Sequence, residues 1–236
     1  MKFLDKAYNG FITFFGDIKV FKFPFFVVYD PGSYLVKGED IRQIINTVHP
    51  GDIFVRGYTN YLDGYVIPGL FSHAGLYLGS VTESDRQYVN EGQGERFRVG
   101  EQMVIHSMAE GVFMEDVINF GRCDYMIILR RNPAIESDKA KKWDFAQVKK
   151  TALQNLGKSY DFKFDFSDFT SLSCTEFVYA SCLDMMDDYD IKVRDEKVLF
   201  MKKRIIAPDD FVRSKLDLIW KSPSVTDKKL NKLLAK

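Results

Sequence analysis

The sequence predicts an α+β fold in which an antiparallel sheet packs against helices, one of them carrying Cys174. Three observations predict it. The element order is mixed: a helix, then strands with short helices among them, then helices again. The strands show a period of two; His73, Gly75 and Tyr77 fall on one face of theirs, and Ala74, Leu76 and Leu78 on the other. Finally, the stretch from Ser171 to Cys182 starts as a turn and becomes a helix at Cys174, because Ser173 followed three residues later by Glu176 is a capping box.

Taken in order, Met1 to Phe15 places Phe3, Leu4, Ala7, Tyr8, Phe11, Ile12 and Phe15 at helical spacing between charges, which predicts an amphipathic helix. The aromatic run Val20 to Tyr29 contains Lys22 and Pro24 and is too short to span a bilayer, which takes about 20 apolar residues. Asp30-Pro31-Gly32 is a turn. Lys37 to Val48 reads as a helix with Ile41, Ile44, Ile45 and Val48 on its apolar face, ended by Pro50-Gly51. Strands follow at Asp52–Arg56 and His73–Leu78, with a helix or helical turn between them at Tyr61–Leu70, broken at Pro68-Gly69. The polar stretch from Gly79 to Gly100 reads as a long connection with room for a short strand near Tyr88. Further strands are expected at Gln102–Met108 and Asp124–Arg130, with a strand or loop around Val112–Met114 after the Glu110-Gly111 turn.

After Asn132-Pro133 the pattern turns helical from about Asp138 to Leu156 and stops at Gly157. The aromatic segment Tyr160–Phe169 leads into the Cys174 helix, which is expected to reach about Met186. An apolar and charged segment, Val198–Ile206, precedes a helix opened by Pro208-Asp209-Asp210 and reaching Trp220. The lysine-rich end, Lys228–Lys236, reads as a solvated or frayed terminus.

With 236 residues, the chain is long enough for one large domain with a substantial core. Its 33 Lys and Arg balance 33 Asp and Glu, which removes the global positive charge that nucleic-acid binders use against phosphates. No nucleic-acid partner is expected. The three cysteines, Cys123, Cys174 and Cys182, are an odd, sparse set without C-x-x-C spacing. They suggest neither a disulfide framework nor a zinc ribbon, and they fit a reducing compartment. Charges interrupt the apolar face of the first helix and no small-residue cleavage site follows, so no signal peptide is expected and a cytoplasmic location is. That helix could lie on a membrane as a peripheral contact, although packing onto its own domain is the commoner fate of such a face.

The chemistry concentrates on few residues. Cys174 would be the first residue inside its helix, where free N–H groups and the helix dipole favour a thiolate and can lower a cysteine pKa to roughly 3.5–7.5. Helical spacing puts it on one face with Phe177, Val178, Ser181 and Cys182, so a buried core thiol is the competing reading. Of the three histidines, His49 precedes Pro50-Gly51 as a surface or capping residue, while His73 and His106 sit on strands. A thiol nucleophile needs a base to take its proton and a third polar group to hold the base's second ring nitrogen.

The blocks Phe-Ser-His73-Ala-Gly-Leu-Tyr-Leu-Gly and Ser-Cys174-Thr-Glu-Phe-Val-Tyr resemble the two signature blocks of the circularly permuted NlpC/P60 papain-like family, in its YiiX-like and poxvirus-related branch. The histidine block precedes the cysteine block there, as it does here. Gly51-Asp52-Ile53-Phe54 is similar to the family's first strand, and Gly157-Lys158-Ser159-Tyr160 to its Gly-x-x-Tyr segment. The resemblance covers roughly residues 50 to 215. It implies a permuted papain-like fold and a cysteine peptidase or amidase working by acyl transfer, without a cofactor. It divides the chain into an N-terminal extension at 1–48, a catalytic domain at 49–220 and a lysine-rich tail at 221–236.

Carried over, Cys174 resembles the nucleophile, His73 the general base, and Tyr160 a tyrosine lining the substrate site. His106 matches the third position, where YiiX-type relatives often have glutamate. Histidine there is similar to classical NlpC/P60 peptidases and to lecithin:retinol acyltransferase-like proteins, and Glu110 is the fallback orienter. Three other readings stay open: a lipid-directed thiol acyltransferase or esterase, a zinc site made of His73, His106 and Cys174, and a non-catalytic peptide- or lipid-binding module. The expected substrate is a peptide or amide small molecule.

Overall fold

A computed structural model describes residues 19–21, 26–28, 34–59, 69–141, 144–164, 166–198 and 201–235. The expected N-terminal amphipathic helix and most of the helical turn at Tyr61–Leu70 lie outside the described residues. A short antiparallel pair, β1 (Lys19–Phe21) and β2 (Phe26–Val28), precedes helix α1 (Gly38–Thr47). Asp40 starts this helix by accepting from the Lys37 N–H at 2.8 Å.

The centre is a six-stranded antiparallel sheet in the order β10-β7-β3-β4-β5-β6. Its strands are β3 (Ile53–Gly57), β4 (His73–Val81), β5 (Gly100–Met108), β6 (Gly111–Asp116), β7 (Tyr125–Arg130) and β10 (Asp217–Lys221). Strand alternation divides the core in two. Ile53, Val55, Ala74, Leu76, Ile105 and Leu129 face Phe177 and Val178 on one side. Phe54, Tyr77, Val104 and Ile128 face Ile44, Val117 and Phe120 on the other. Both sides are therefore covered, and β3 is buried along its whole length. Burying a side chain such as Phe177 contributes about 1.5–3 kcal/mol.

Several helices are shorter than the sequence pattern suggests. The stretch from Asp138 forms α3 (Asp138–Lys141) and α4 (Phe145–Gln154), the latter capped afresh by Asp144 accepting from Gln147 N–H at 2.9 Å. Gly157 takes a left-handed φ of +83°, as a chain leaving a helix often does. The Cys174 helix, α5 (Cys174–Ser181), ends when Cys182 adopts φ −124° and ψ 21°, and α6 (Leu183–Met186) resumes after the break. Between β6 and β7 lies the single turn α2 (Val117–Phe120).

The polar connection after β4 forms 3-10 turns at Glu83–Tyr88 and Gly94–Arg96, with no strand at Tyr88. The segment around Val198 is a separate hairpin, β8 (Arg194–Val198) with β9 (Met201–Ile205). The helix opened by Pro208 is only α7 (Pro208–Arg213); the chain then enters β10, which pairs with β7 at the sheet edge. Period-two pairing along Leu218 and Trp220 overrides a helical reading of that stretch. The lysine-rich end forms α8 (Asp227–Leu234), whose Leu233 is buried in the core, so this terminus is anchored and not frayed.

Candidate active site

The capping box at the head of α5 is present. Ser173 N–H donates to Glu176 Oε2 at 2.7 Å, and Glu176 N–H reaches Ser173 Oγ at 3.4 Å. This starts the helix at Cys174, which is only 4% exposed. The loop before it is tied to the sheet twice: Ser107 Oγ donates to Leu172 O at 2.5 Å, and Leu172 N–H donates to Ser159 O at 2.9 Å. The thiol lies within reach of the Ala74 and Thr175 N–H groups, so it touches the residue that follows His73.

Burial raises the thiol pKa to about 11, against the pull of those two N–H groups and of Arg56 and together with the push of Glu176. The resting group is a thiol. The helix start alone would favour a thiolate, but desolvation outweighs it here.

His73 opens β4 and His106 sits near the end of β5. The register Gly75↔His106 puts both on the sheet face opposite α5. His73 Nε2 is 2.8 Å from His106 Nδ1, with the rings nearly perpendicular at 84°. Gly75 makes this arrangement possible: a Cβ there would stand 2.7 Å from the Phe120 ring and 3.2 Å from His106 Cβ. Phe120 packs edge-on to His106 with centroids 5.2 Å apart, and Phe113 lies 4.4 Å away on its other flank. Burial lowers the His73 pKa well below 6.5, reinforced by the charges of Arg56 and His106. It lowers that of His106 too, although Glu115 pulls the other way. Both imidazoles are neutral near pH 7.

Two residues that the sequence reading passed over complete the cluster. Glu115 Oε1 is 2.9 Å from His106 Nε2, a contact that lies off the line of a straight hydrogen bond. Arg56 is buried on β3 opposite His73; it donates to Phe120 O at 2.7 Å, meets Glu115 Oε1 at 3.4 Å and lies 4.2 Å above the Phe120 ring. Signals for both exist in the sequence. Arg56 is the one cation in the otherwise apolar strand Ile53–Gly57, and period two from Phe113 puts Glu115 on the histidine face. Glu110 is exposed in the turn between β5 and β6, where its carbonyl accepts from Arg96 at 2.8 Å, and Glu115 occupies the position against His106.

Tyr160 is half-buried, with its ring 4.8 Å from Phe162 and 6.4 Å from Phe164. It follows Ser159, whose carbonyl holds Leu172, two residues before Cys174. Among the described residues, no group of three or more His, Cys, Asp or Glu side chains converges to hold a metal. Two ring nitrogens sharing one tetrahedral zinc would stand about 3.3 Å apart. His73 Nε2 and His106 Nδ1 are closer than that and bond each other. Also among the described residues, no helix is long and apolar enough to cross a membrane.

No curated protein and no solved structure matches the chain. A family model does, over residues 47–232, and it is the model of the YaeF/YiiX amidases and not of NlpC/P60 proper. Most of the chain is covered, including every residue of the cluster, and the mixed, antiparallel fold agrees. The chain thus belongs to the permuted papain-like amidase enzymes of the YaeF/YiiX, C92 family.

Proposed function

We propose that the protein is a thiol-dependent hydrolase that cleaves an amide bond of peptide, amino-acid or cell-wall type through a cysteinyl thioester, with Cys174 as nucleophile, His73 as general base and His106 as its orienter. The observation that carries this reading is the 2.8 Å contact between the two histidines, together with a thiol within reach of the N–H of Ala74, the residue next to His73 in the chain. As thiol and imidazole are both neutral at rest, His73 takes the proton as Cys174 Sγ attacks the carbonyl, and no preformed ion pair is needed.

His73 then gives that proton to the leaving amine, and the thioester remains on Cys174. Water, activated by the same imidazole, completes hydrolysis; an amine or alcohol in its place would complete transfer. The Cys174 backbone N–H, among the first donors of α5 and without an intrahelical partner, is suited to the developing oxyanion. Tyr160 would line the substrate groove. The three cysteines are free and buried, which fits a reducing, cytoplasmic setting.

The test compares wild type with Cys174→Ala on amide, peptidoglycan-fragment and phospholipid substrates, with analysis of the products. Loss of at least a thousandfold in turnover on an amide is expected. Equal turnover by the two proteins would overturn the hydrolase reading, and release of an acylated amine or alcohol would move the activity to acyl transfer.

A further inference from the structure

We propose that Glu115 is a positioning residue of this site: it fixes the proton on His106 and, through His106, leaves Nδ1 of His73 bare. The proposal rests on the reading of His73 as general base. Its ground is a chain of contacts in which each member dictates the next. An ionised carboxylate only accepts. Glu115 Oε1 lies 2.9 Å from His106 Nε2, so that nitrogen carries the hydrogen; a lone pair there would face a negative charge. A neutral imidazole has a single N–H, which leaves His106 Nδ1 bare. His73 Nε2, 2.8 Å away, must then donate to it. The one N–H of His73 is thereby spent, and its Nδ1 keeps the lone pair that can take a thiol proton.

The opposite arrangement would start from a doubly protonated or inverted His106. Its Nδ1–H would donate to His73 Nε2, which would drive the His73 hydrogen onto Nδ1 and abolish the base. Arg56 guards against this. Its guanidinium meets Glu115 Oε1 at 3.4 Å and is anchored by Phe120 O at 2.7 Å, so the carboxylate is charge-balanced and held without taking up a proton. His106 has Glu115 from β6, Arg56 from β3 and His73 from β4 around it, and no water-exposed edge, since it is 0% exposed. After proton uptake, His73 holds two N–H groups, and its Nε2–H continues to donate to His106 Nδ1. The proton stays on His73 until the leaving group takes it, and none passes to Glu115.

Long-range proton–nitrogen NMR on the full chain labelled in its three histidines reads the tautomers directly, with His49→Gln assigning the histidine outside the cluster. In the wild type both His73 and His106 are expected to carry the hydrogen on Nε2; Nδ1–H on either ring would overturn the proposal. In Glu115→Gln, the amide can donate to His106 Nε2, so a shift of His73 toward Nδ1–H is expected together with a tenfold or larger fall in kcat at unchanged KM. Glu115→Asp should keep the Nε2–H tautomers and recover part of kcat. A folded Glu115→Gln protein with wild-type tautomers and wild-type kcat would overturn the proposal and leave the hydrolase reading intact. An active Cys174→Ala protein would overturn the hydrolase reading instead. Should Glu115→Gln not fold, the wild-type tautomers decide.

Discussion

His73 Nε2 and His106 Nδ1 stand 2.8 Å apart, with Phe113 and Phe120 packed on the His106 ring and Arg56 over Phe120, so one hydrogen bridges the two rings. Burial and the Arg56 charge disfavour imidazolium at His73, whose pKa lies well below 6.5. His73 is thus neutral at pH values where a free histidine is already charged.

The pH dependence of kcat/KM follows from this. If His73 is the base, its neutral form persists below pH 6.5, and the acid limb of the profile should fall below that value. Measuring kcat/KM between pH 4 and pH 9 on an amide substrate checks it. A half-maximal point at or above pH 6.5 would mean that His73 is not held neutral by its surroundings.

The thiol gives an independent readout. With the Cys174 pKa raised to about 11 by burial, its alkylation by a small uncharged reagent should climb steadily from pH 7 to beyond pH 9. A flat plateau across pH 5–8 would instead indicate a thiolate–imidazolium pair. Cys123 and Cys182 are also buried and are both raised to about 12, so mass spectrometry must assign the label.

Glu176 predicts a pH-dependent stability of definite sign. Its Oε2 holds Ser173 N–H, its buried Oε1 has no hydrogen-bond donor, and the Asp161 carboxyl interacts with the same group. Two facing carboxyl groups make a hydrogen bond only if one carries a proton. Burial first, and then Asp161, raise the Glu176 pKa to about 8. An acid that holds its proton more tightly when folded loses stability as pH rises from its unfolded value near 4.5 toward about 8. Glu176→Gln mimics the protonated form, so its melting temperature should exceed that of the wild type at pH 8–9 and match it near pH 5. Parallel melting curves for the two proteins would remove the basis for a shared proton.

Much of the candidate site could be proposed from the sequence, and the omissions have physical reasons. Cys174, His73 and His106 announce themselves because few residue types can serve as nucleophile and base, and a capping box marks where a helix starts. The strands could be read from their alternation. Glu115 and Arg56 stayed hidden because a charged residue in a strand is ordinarily solvated. Only the β5–β6 and β3–β4 registers show that these two side chains meet beneath Phe120. The same holds for β10: Leu218 and Trp220 fit a helix until β7 offers an edge to pair with. The thiol's ionisation was misjudged for a related reason, since helix polarity is local and visible in sequence whereas desolvation is a property of the assembled core.

The entry into β4 depends on a residue far away in sequence, which yields a test of how firmly His73 must be held. Asp209 is 2% exposed; its Oδ1 accepts from Phe71 N–H at 2.9 Å and from Leu70 N–H at 3.1 Å, immediately before Ser72 and His73. Removing the carboxylate leaves those donors buried without partners, at about 1–3 kcal/mol for each group. Asp209→Ala should therefore lower stability by roughly 2 kcal/mol or more in chemical denaturation. If His73 is the base, the substitution should also reduce kcat, because the strand that carries His73 loses its anchor. Asp209→Asn keeps an oxygen at the Oδ1 position and can accept both bonds, so it should retain most of the stability and most of the rate. An Ala variant as active and as stable as the wild type would show that β4 is positioned by its ladder with β3 and β5 alone.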